Sequence, residues 1–312
     1  MSDLFPQSQL SNSKDCPPST LQPVHQLLKA RDANLGDNLI IRRALPHRQR
    51  RMIGAWCFFD HFGPVDINKS KGMKVAPHPH IGLQTVTWLV AGHILHRDSL
   101  GNGQLISPGQ VNLMTAGLGI AHSEESVNDE AKILHGIQLW IALPDSQRKI
   151  DPDFSHYPTL PIHKKDGYVI TVFAGELFDE IAPTKVYTSL IGLDMHFNQG
   201  TQATIPFNPS FEYGILVLHG SAKIENDEIG LGTLMYLGCG RSELSITAAK
   251  DTHLIVIGGE PFKEEILIWW NFVARTKDEI IQATNDWQSF KHFGEVTGYQ
   301  GKRLSAPDVP WK

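Results

Sequence analysis

The stretch HPHIGLQTVTWLVAG, residues 78–92, places two histidines directly before a run of β-branched and apolar residues that ends in glycine. Such a run, bounded by turn residues, is typical of a strand that builds a core. His78 and His80 are separated by one residue, so on an extended chain their side chains point to the same face. The stretch therefore predicts a core strand with a pair of imidazoles presented together at its entrance.

Short alternating or apolar segments of this kind recur along the chain and are bounded by Gly, Pro, Asn and Asp. They include QVNLMTAG (110–117), HGIQLWIAL (135–143), YVITVFAG (168–175), GILVLHG (214–220) and HLIVIGG (253–259). This series predicts an all-β sandwich or barrel architecture. Proline and aspartate are concentrated in residues 143–161, which we interpret as the connection between two halves.

The predicted organisation has three parts. Residues 1–22 are rich in Ser, Pro, Asn and Gln without periodicity, which predicts a flexible N-terminal tail. Residues 23–150 are expected to form a first, metal-binding barrel, and residues 151–312 a second barrel that ends in a helix.

The helix is predicted within TKDEIIQATNDW, residues 276–287. Thr276 and Glu279 have the spacing of a capping box. One helical face carries Ile280, Ala283, Thr284 and Trp287. We expect this face to pack on the sheet, and the alternative is an amphipathic helix that binds a partner.

Composition and charge limit the classes of function. The 312 residues are 41% apolar, which is enough for a sizeable core. The net charge of −5, with scattered Lys and Arg, argues against direct nucleic-acid binding. No apolar run approaches the ~20 residues that span a bilayer, and no secretory signal is visible, so we expect a cytoplasmic protein without a membrane partner. Cys16, Cys57 and Cys239 are too scattered for a disulfide framework or a cysteine-based zinc site.

A metal, if bound, must therefore be held by histidine and carboxylate. His122 and Glu124, in LGIAHSEES (118–126), repeat the spacing of the first histidine pair. Two such pairs on neighbouring strands can direct three imidazoles and one carboxylate to one point. This donor set suits a first-row ion, and two open octahedral positions favour iron over copper, nickel, manganese or zinc. The alternative is that these histidines are structural and bonded to backbone carbonyls.

A weak internal repeat predicts that only the first half binds metal. When the glycine turns of the two halves are aligned, the second half lacks the candidate ligands. It has Pro206, Asn208, Ser245 and Thr247 at the equivalent positions.

The ordered motifs resemble the pirin family of the cupin superfamily. The resemblance is carried by FFDHFGPV (58–65), HPHIGLQTVTWLVAG (78–92), MTAGLGIAHSEE (114–125) and the C-terminal IGGEPFKEEILIWWNFVARTKDEIIQATNDW (257–287). It implies a bicupin of two antiparallel, jelly-roll-type β-barrels with a short C-terminal helix. It also implies one divalent metal ion in the first barrel, bound by His78, His80, His122 and Glu124.

Two residues depart from the family pattern. Pirins usually read HPHRGFET, whereas this chain has Ile81 for the arginine and Gln84 for the glutamate. Gln84 also stands where many other cupins have a ligand glutamate, and an amide is a weak ligand that cannot act as a base. Glu124 is therefore the carboxylate that we nominate for catalytic proton transfer.

Similarity to pirins that act as quercetinases implies a quercetin 2,3-dioxygenase. Such an enzyme cleaves flavonols with dioxygen and releases carbon monoxide. A flat, apolar substrate requires an apolar and aromatic pocket. The candidate pocket residues are Gln84, Met114, Trp88 and Trp140, and the alternative for the two tryptophans is a role in the core.

Two other functions are consistent with the sequence. Pirins have been linked to transcription factors and to metabolic enzymes, so the chain would alternatively be a regulator whose metal tunes a protein-binding surface without turnover. A different metal-dependent reaction is the third alternative, since fold does not fix function. His61 and His96 are expected to be structural or to support the metal ligands.

Overall fold

The computed structural model describes residues 10–35, 39–69, 72–127 and 132–311, so residues 1–9 of the predicted tail lie outside the described residues. The described chain is built mostly from strands, as predicted. In the first half the strands are β1 (Ser11–Asn12), β2 (His25–Lys29), β3 (Arg31–Leu35), β4 (Leu39–Leu45), β5 (Trp56–Asp66), β6 (Lys74–His80), β7 (Leu83–Ala91), β8 (Ile94–Asp98), β9 (Gly103–Ile106), β10 (Val111–Thr115), β11 (Ile120–Ser126), β12 (Ile133–Ala142) and β13 (Asp153–Tyr157).

The second half continues with the same short strands and ends in a helix. The strands are β14 (Ile162–Lys165), β15 (Tyr168–Ala174), β16 (Glu176–Leu177), β17 (Glu180–Ile181), β18 (Leu190–Phe197), β19 (Thr201–Pro206), β20 (Glu212–His219), β21 (Ser221–Ile224), β22 (Asp227–Gly230), β23 (Thr233–Leu237), β24 (Glu243–Ala248), β25 (Thr252–Gly259), β26 (Leu267–Trp269) and β27 (Phe272–Ala274). A 3₁₀ turn covers Ser13–Asp15, and the helix α1 covers Lys277–Gln288. No helix in the described ranges is long and apolar enough to cross a membrane.

The strands form two units with the same topology. The first unit has a seven-stranded sheet, β13-β10-β7-β12-β5-β4-β3, and a four-stranded sheet, β6-β11-β8-β9. The second unit has β2-β23-β20-β25-β18-β15-β14 and β19-β24-β21-β22. The internal repeat is thus a duplicated fold. Among the described strands the two sheets of a unit remain separate, and each unit has the jelly-roll arrangement that we predicted.

The seven-stranded sheets of the two units pack face to face. Their shared core joins Trp56, Phe59 and Val86 of the first unit to Phe173 and Ile255 of the second. Trp56 is fully buried, and its indole N–H donates a hydrogen bond to the Gly258 carbonyl across the interface at 3.0 Å. The large sheets are therefore buried on both faces, because their other faces line the interiors of their own sandwiches.

The N-terminal segment differs from the predicted tail and from the predicted first unit. β1 pairs with β26, and Ser19 donates a hydrogen bond to Glu212 at 2.5 Å. β2 pairs with β23, which places residues 25–29 in the second unit. In turn, β13 pairs with β10, so residues 153–157 belong to the first unit although we assigned them to the second. Each unit thus contains one edge strand from the part of the chain that we had assigned to the other unit.

The place of β2 in the second unit predicts that replacement by alanine affects stability differently at two adjacent leucines. Leu28 is 1% exposed in the core between the units, whereas Leu27 is 44% exposed. We expect Leu28→Ala to lower the free energy of unfolding by about 2–5 kcal/mol. The control Leu27→Ala should change it by about 0.5 kcal/mol or less. Chemical denaturation of both variants checks this, and equal effects would contradict the place of β2 in the second unit.

The C-terminal helix forms as predicted but covers the first unit. Its capping box is complete: the Thr276 side chain accepts from the Glu279 amide, and the Glu279 side chain accepts from the Thr276 amide. The predicted apolar face is buried in a cluster with Phe272 and with Ala121 of β11. The core interpretation of this face is therefore right, and the alternative of a partner-binding helix is not supported. The assignment of the helix to the second unit differs from this packing.

Candidate metal centre

Three residue pairs with i, i+2 spacing lie on three neighbouring strands of the small sheet of the first unit. They are His78 and His80 on β6, His122 and Glu124 on β11, and His96 and Asp98 on β8. In the sheet register, His122 lies opposite both His78 and Asp98. All six side chains are at most 2% exposed. Because alternate residues of a strand share a face, the three pairs converge inside the sandwich.

The three predicted histidine ligands present their Nε2 atoms to one another. Nδ1 of His78 donates to the Ala76 carbonyl at 2.8 Å, and Nδ1 of His80 donates to the Asn271 carbonyl at 2.9 Å. Since a carbonyl can only accept, both Nε2 atoms carry lone pairs when the rings are neutral. Nε2 of His80 lies 3.1 Å from Nε2 of His122, and one ligand atom from each of the three rings lies within 4.8 Å of the others.

Burial favours the neutral imidazoles that a metal requires. It lowers the pKa of His78 to about 3. It also lowers the pKa values of His80 and His122 well below the ordinary value, and the neighbouring histidines add to this effect. Neutral rings expose lone pairs at neutral pH, so the cluster is prepared to bind a cation.

Glu124 lies beside the histidines, and its two carboxylate oxygens have different surroundings. Its Oε1 accepts a hydrogen bond from the Thr87 hydroxyl at 2.9 Å, whereas its Oε2 is buried without a hydrogen-bond partner in the described part of the chain. Its carboxylate lies within 4.8 Å of ligand atoms of His122 and His96. Burial raises the pKa of Glu124, because the charged form is poorly solvated.

Thr87 supports this carboxylate, with Gln138 beside it, and sequence reasoning missed both. The Thr87 hydroxyl has one proton, which it can donate to Oε1 of Glu124 at 2.9 Å. Oε1 of Gln138 lies 3.0 Å from the same hydroxyl oxygen and is a second acceptor for that proton. Thr87 lies on the strand of the opening motif, so the sequence already drew attention to this segment. The sequence did not show that the Thr87 side chain points into the sandwich.

Of the four predicted pocket residues, Trp140 contacts a candidate ligand and Met114 belongs to the same hydrophobic cluster as Trp140. Trp140 stacks on Phe58 at a centroid distance of 4.0 Å and meets His80 edge-on at 5.1 Å. Met114 is buried in the same cluster. These contacts place an apolar and aromatic wall beside His80.

The prediction that Gln84 and Trp88 line the pocket is wrong. Gln84 donates hydrogen bonds to Thr115 and to the Lys185 carbonyl, and Trp88 donates to Asp194 of the second unit at 2.7 Å. Both side chains share the outer face of β7 with Val86, whereas Thr87 points inward. The side chain of Gln84 therefore points away from the sandwich interior that holds the candidate ligands.

The C-terminal hairpin of β26 and β27 covers the histidines. In addition to the bond between His80 and Asn271, Ile81 forms an isolated bridge with Phe272. Gly82 has a positive φ of 70°, and the Val273 carbonyl occupies the space that a Cβ atom would need. A glycine at this position thus permits the close approach of the hairpin.

The residues present fit a resident metal ion. Nε2 of His78 and Oε2 of Glu124 are buried without partners among the described residues, and each such atom costs free energy unless something else binds it. The Nε2 atoms of His80 and His122 face each other, each with a lone pair, and a cation bound by both would remove this unfavourable contact. Three nitrogens and one oxygen form a donor set for a first-row metal.

The chain is similar to known proteins over most of its length. The chain matches the pirin family over residues 38–141 and the pirin C-terminal cupin domain over residues 192–294. A Pseudomonas aeruginosa protein provisionally named quercetin 2,3-dioxygenase is 46% identical, with 100% of this chain and 99% of that protein covered. A pirin-like protein of Caulobacter vibrioides is 35% identical, with 83% and 91% covered. The crystal structure of a quercetin 2,3-dioxygenase from Acinetobacter baumannii is 48% identical, with a TM-score of 0.89 and with 92% and 96% covered.

Proposed function

Because this chain belongs to the pirin family, we propose that it is a metal-dependent dioxygenase that cleaves flavonols such as quercetin. The observation that carries the proposal is the buried cluster of candidate ligands, in which ligand atoms of His78, His80 and His122 lie within 4.8 Å of one another and the Glu124 carboxylate lies within 4.8 Å of His122. Nε2 of His78 and Oε2 of Glu124 have no hydrogen-bond partner among the described residues. The similarity to two proteins named quercetin 2,3-dioxygenase supplies the substrate class.

The proposed reaction consumes one flavonol and one dioxygen molecule. Both oxygen atoms enter the product as the heterocyclic ring opens, and one ring carbon leaves as carbon monoxide. When bound, the metal would act as a Lewis acid that lowers the pKa of the flavonol 3-hydroxyl, and iron is our first choice ahead of Cu, Ni, Mn and Zn.

The protein residues have separate roles in this proposal. His78, His80 and His122 hold the metal, and Glu124 is its fourth ligand. In this proposal the Glu124 carboxylate also accepts the proton of the 3-hydroxyl. The hydroxyl of Thr87 holds the carboxylate in position.

The substrate must reach a buried site. The four ligands are at most 1% exposed, so a flavonol can contact them only after a covering segment moves. The covering hairpin meets His80 through Asn271, and Trp140 lies on another side of the same ring. We infer that the flavonol enters where the hairpin lies and stacks on the wall that contains Trp140 and Met114.

Metal analysis and a quercetin assay test this proposal together. We expect about one first-row metal ion per chain, and metal-dependent loss of quercetin absorbance in air with release of carbon monoxide. Protein stripped by a chelator should be inactive, and metal restoration should return its activity. Stoichiometric metal without quercetin loss would reject the flavonol substrate and favour the metal-tuned regulator. Purified protein that binds no metal would reject the centre itself.

A further inference from the structure

We propose that Asp98 and His96 position His122 for metal binding by determining which nitrogen of its ring carries the proton. The inference rests on the metal centre of the proposed function, but not on its substrate. Neither residue is among the four ligands, and both are buried beside them on β8. They act through His122, and therefore they are positioning residues.

The Asp98 carboxylate is held in place by hydrogen bonds from the turn that follows it. Its Oδ1 accepts hydrogen bonds from the amides of Leu100 and Asn102, both at 3.0 Å, and the Asn102 side chain donates to Oδ2 at 2.9 Å. These bonds close the turn between β8 and β9, where Gly101 has a positive φ of 91°. The carboxylate is thus held as an acceptor directed at Nε2 of His96, 3.1 Å away.

The proton positions follow from this contact. A carboxylate accepts and does not donate, so the proton of neutral His96 lies on Nε2 and its Nδ1 is an acceptor. Nδ1 of His96 lies 3.4 Å from Nδ1 of His122, which must therefore be the donor. Nε2 of His122 is then left with its lone pair, directed towards His80. The hydrogen bond at one ring nitrogen thus selects the other as the metal ligand.

Packing holds His96 in this orientation. Its ring stacks on Phe154 of β13, with a centroid distance of 4.5 Å and an interplanar angle of 17°. In the sheet register His96 lies opposite Glu124, so β8 lies alongside the strand that carries two of the ligands. A rigid neighbour of this kind raises the metal affinity of His122 because the ring needs no reorientation on binding.

Asp98→Asn is the sharpest test, because it preserves shape and reverses the hydrogen bond. Its carbonyl oxygen can still accept from the two turn amides, so the new N–H₂ group faces His96. His96 must then carry its proton on Nδ1, against the N–H of His122. We expect Zn²⁺ affinity, measured by competition with a chromophoric chelator, to fall about 10- to 100-fold. Asp151→Asn, at an exposed position of the same unit, is the matched control and should bind Zn²⁺ like the wild type.

A spectroscopic measurement separates positioning from a general structural effect. In zinc-loaded protein with ¹⁵N-labelled histidine, the ring shifts should show His96 protonated on Nε2 in the wild type and on Nδ1 in Asp98→Asn. His96→Phe keeps the stacking on Phe154 and the turn bonds of Asp98, so it should lose zinc affinity similarly even if Asp98→Asn folds poorly.

The outcomes separate this inference from the proposed function. Unchanged zinc affinity in both variants would overturn the positioning role, and so would a zinc-induced shift that identifies His96 itself as a ligand. A wild-type protein that binds zinc through His122, and loses it in both variants, supports the role even if quercetin is never consumed.

Discussion

Replacement of His122 by alanine is expected to reduce the metal content from about one ion per chain to a trace and to reduce turnover to that of chelator-stripped protein. His122 is central to the cluster: its Nε2 faces His80, its Nδ1 contacts His96, and its strand partner is His78. Its loss removes one of three nitrogen ligands and separates the remaining ligands from their supporting residues. Elemental analysis of the purified variant, together with the quercetin assay, measures both effects.

The control for this variant must separate metal loss from damage to the fold. His219→Ala changes an exposed histidine of the second unit and should keep full metal content and activity. His122→Gln retains more of the side-chain volume than alanine and should lose metal as well, which guards against a cavity effect. A folded His122→Ala protein with stoichiometric metal would mean that the centre lies elsewhere.

The cluster of candidate ligands could be proposed from the sequence because the spacing that brings its residues together is local. Residues separated by one position share a face wherever the chain is extended, and this is independent of the rest of the fold. His78 and His80 therefore had to lie together, as did His122 and Glu124, once their segments were strands. His96 and Asp98 have the same spacing, so the third pair was visible in principle. Whether this third pair lies beside the candidate ligands depends on the register of β8 against β11, and no local sequence pattern determines that register.

The two pocket residues that were predicted wrongly show what a local sequence pattern does not determine. β7 is buried on both faces, because one face lines its own sandwich and the other meets the second unit. A doubly buried strand has little polar alternation, so its inward face cannot be identified from the sequence. Trp88 was as plausible inside as Trp140, yet its indole donates to Asp194 across the interface.

The place of the N-terminal segment was predicted poorly for a related reason. β2 has only one fully buried residue, Leu28, and its composition resembles that of a surface segment. Its pairing with β23 joins residues that are about 200 positions apart, and local composition does not encode such a contact. The hairpin that covers His80 is likewise far from it in sequence, with a hydrogen bond between His80 and Asn271. Long-range pairing thus determines what covers the candidate centre, while local spacing brings its candidate ligands together.

Replacement of Glu124 by glutamine should separate metal binding from proton transfer. The amide keeps the size of the carboxylate and can still accept from Thr87, but it cannot take a proton from a flavonol. Three histidines are sufficient to hold a first-row ion, so we expect most of the metal to remain bound, with lower affinity. The loss of a general base predicts a fall in kcat of about 10²- to 10⁴-fold at equal metal occupancy.

Glu125→Gln is the matched control for this change, because the two glutamates are adjacent and face opposite ways. Glu125 is partly exposed, and its carboxylate accepts from Arg97 at 2.5 Å on the outer side of β11. Its replacement should leave kcat unchanged, since this partly exposed ion pair lies on the other face of the strand from the candidate ligands. If Glu124→Gln retains metal and turns over quercetin at the wild-type rate, then Glu124 is a ligand only. The proton of the 3-hydroxyl must in that case leave through another acceptor, and the raised pKa of Glu124 would reflect burial without a catalytic role.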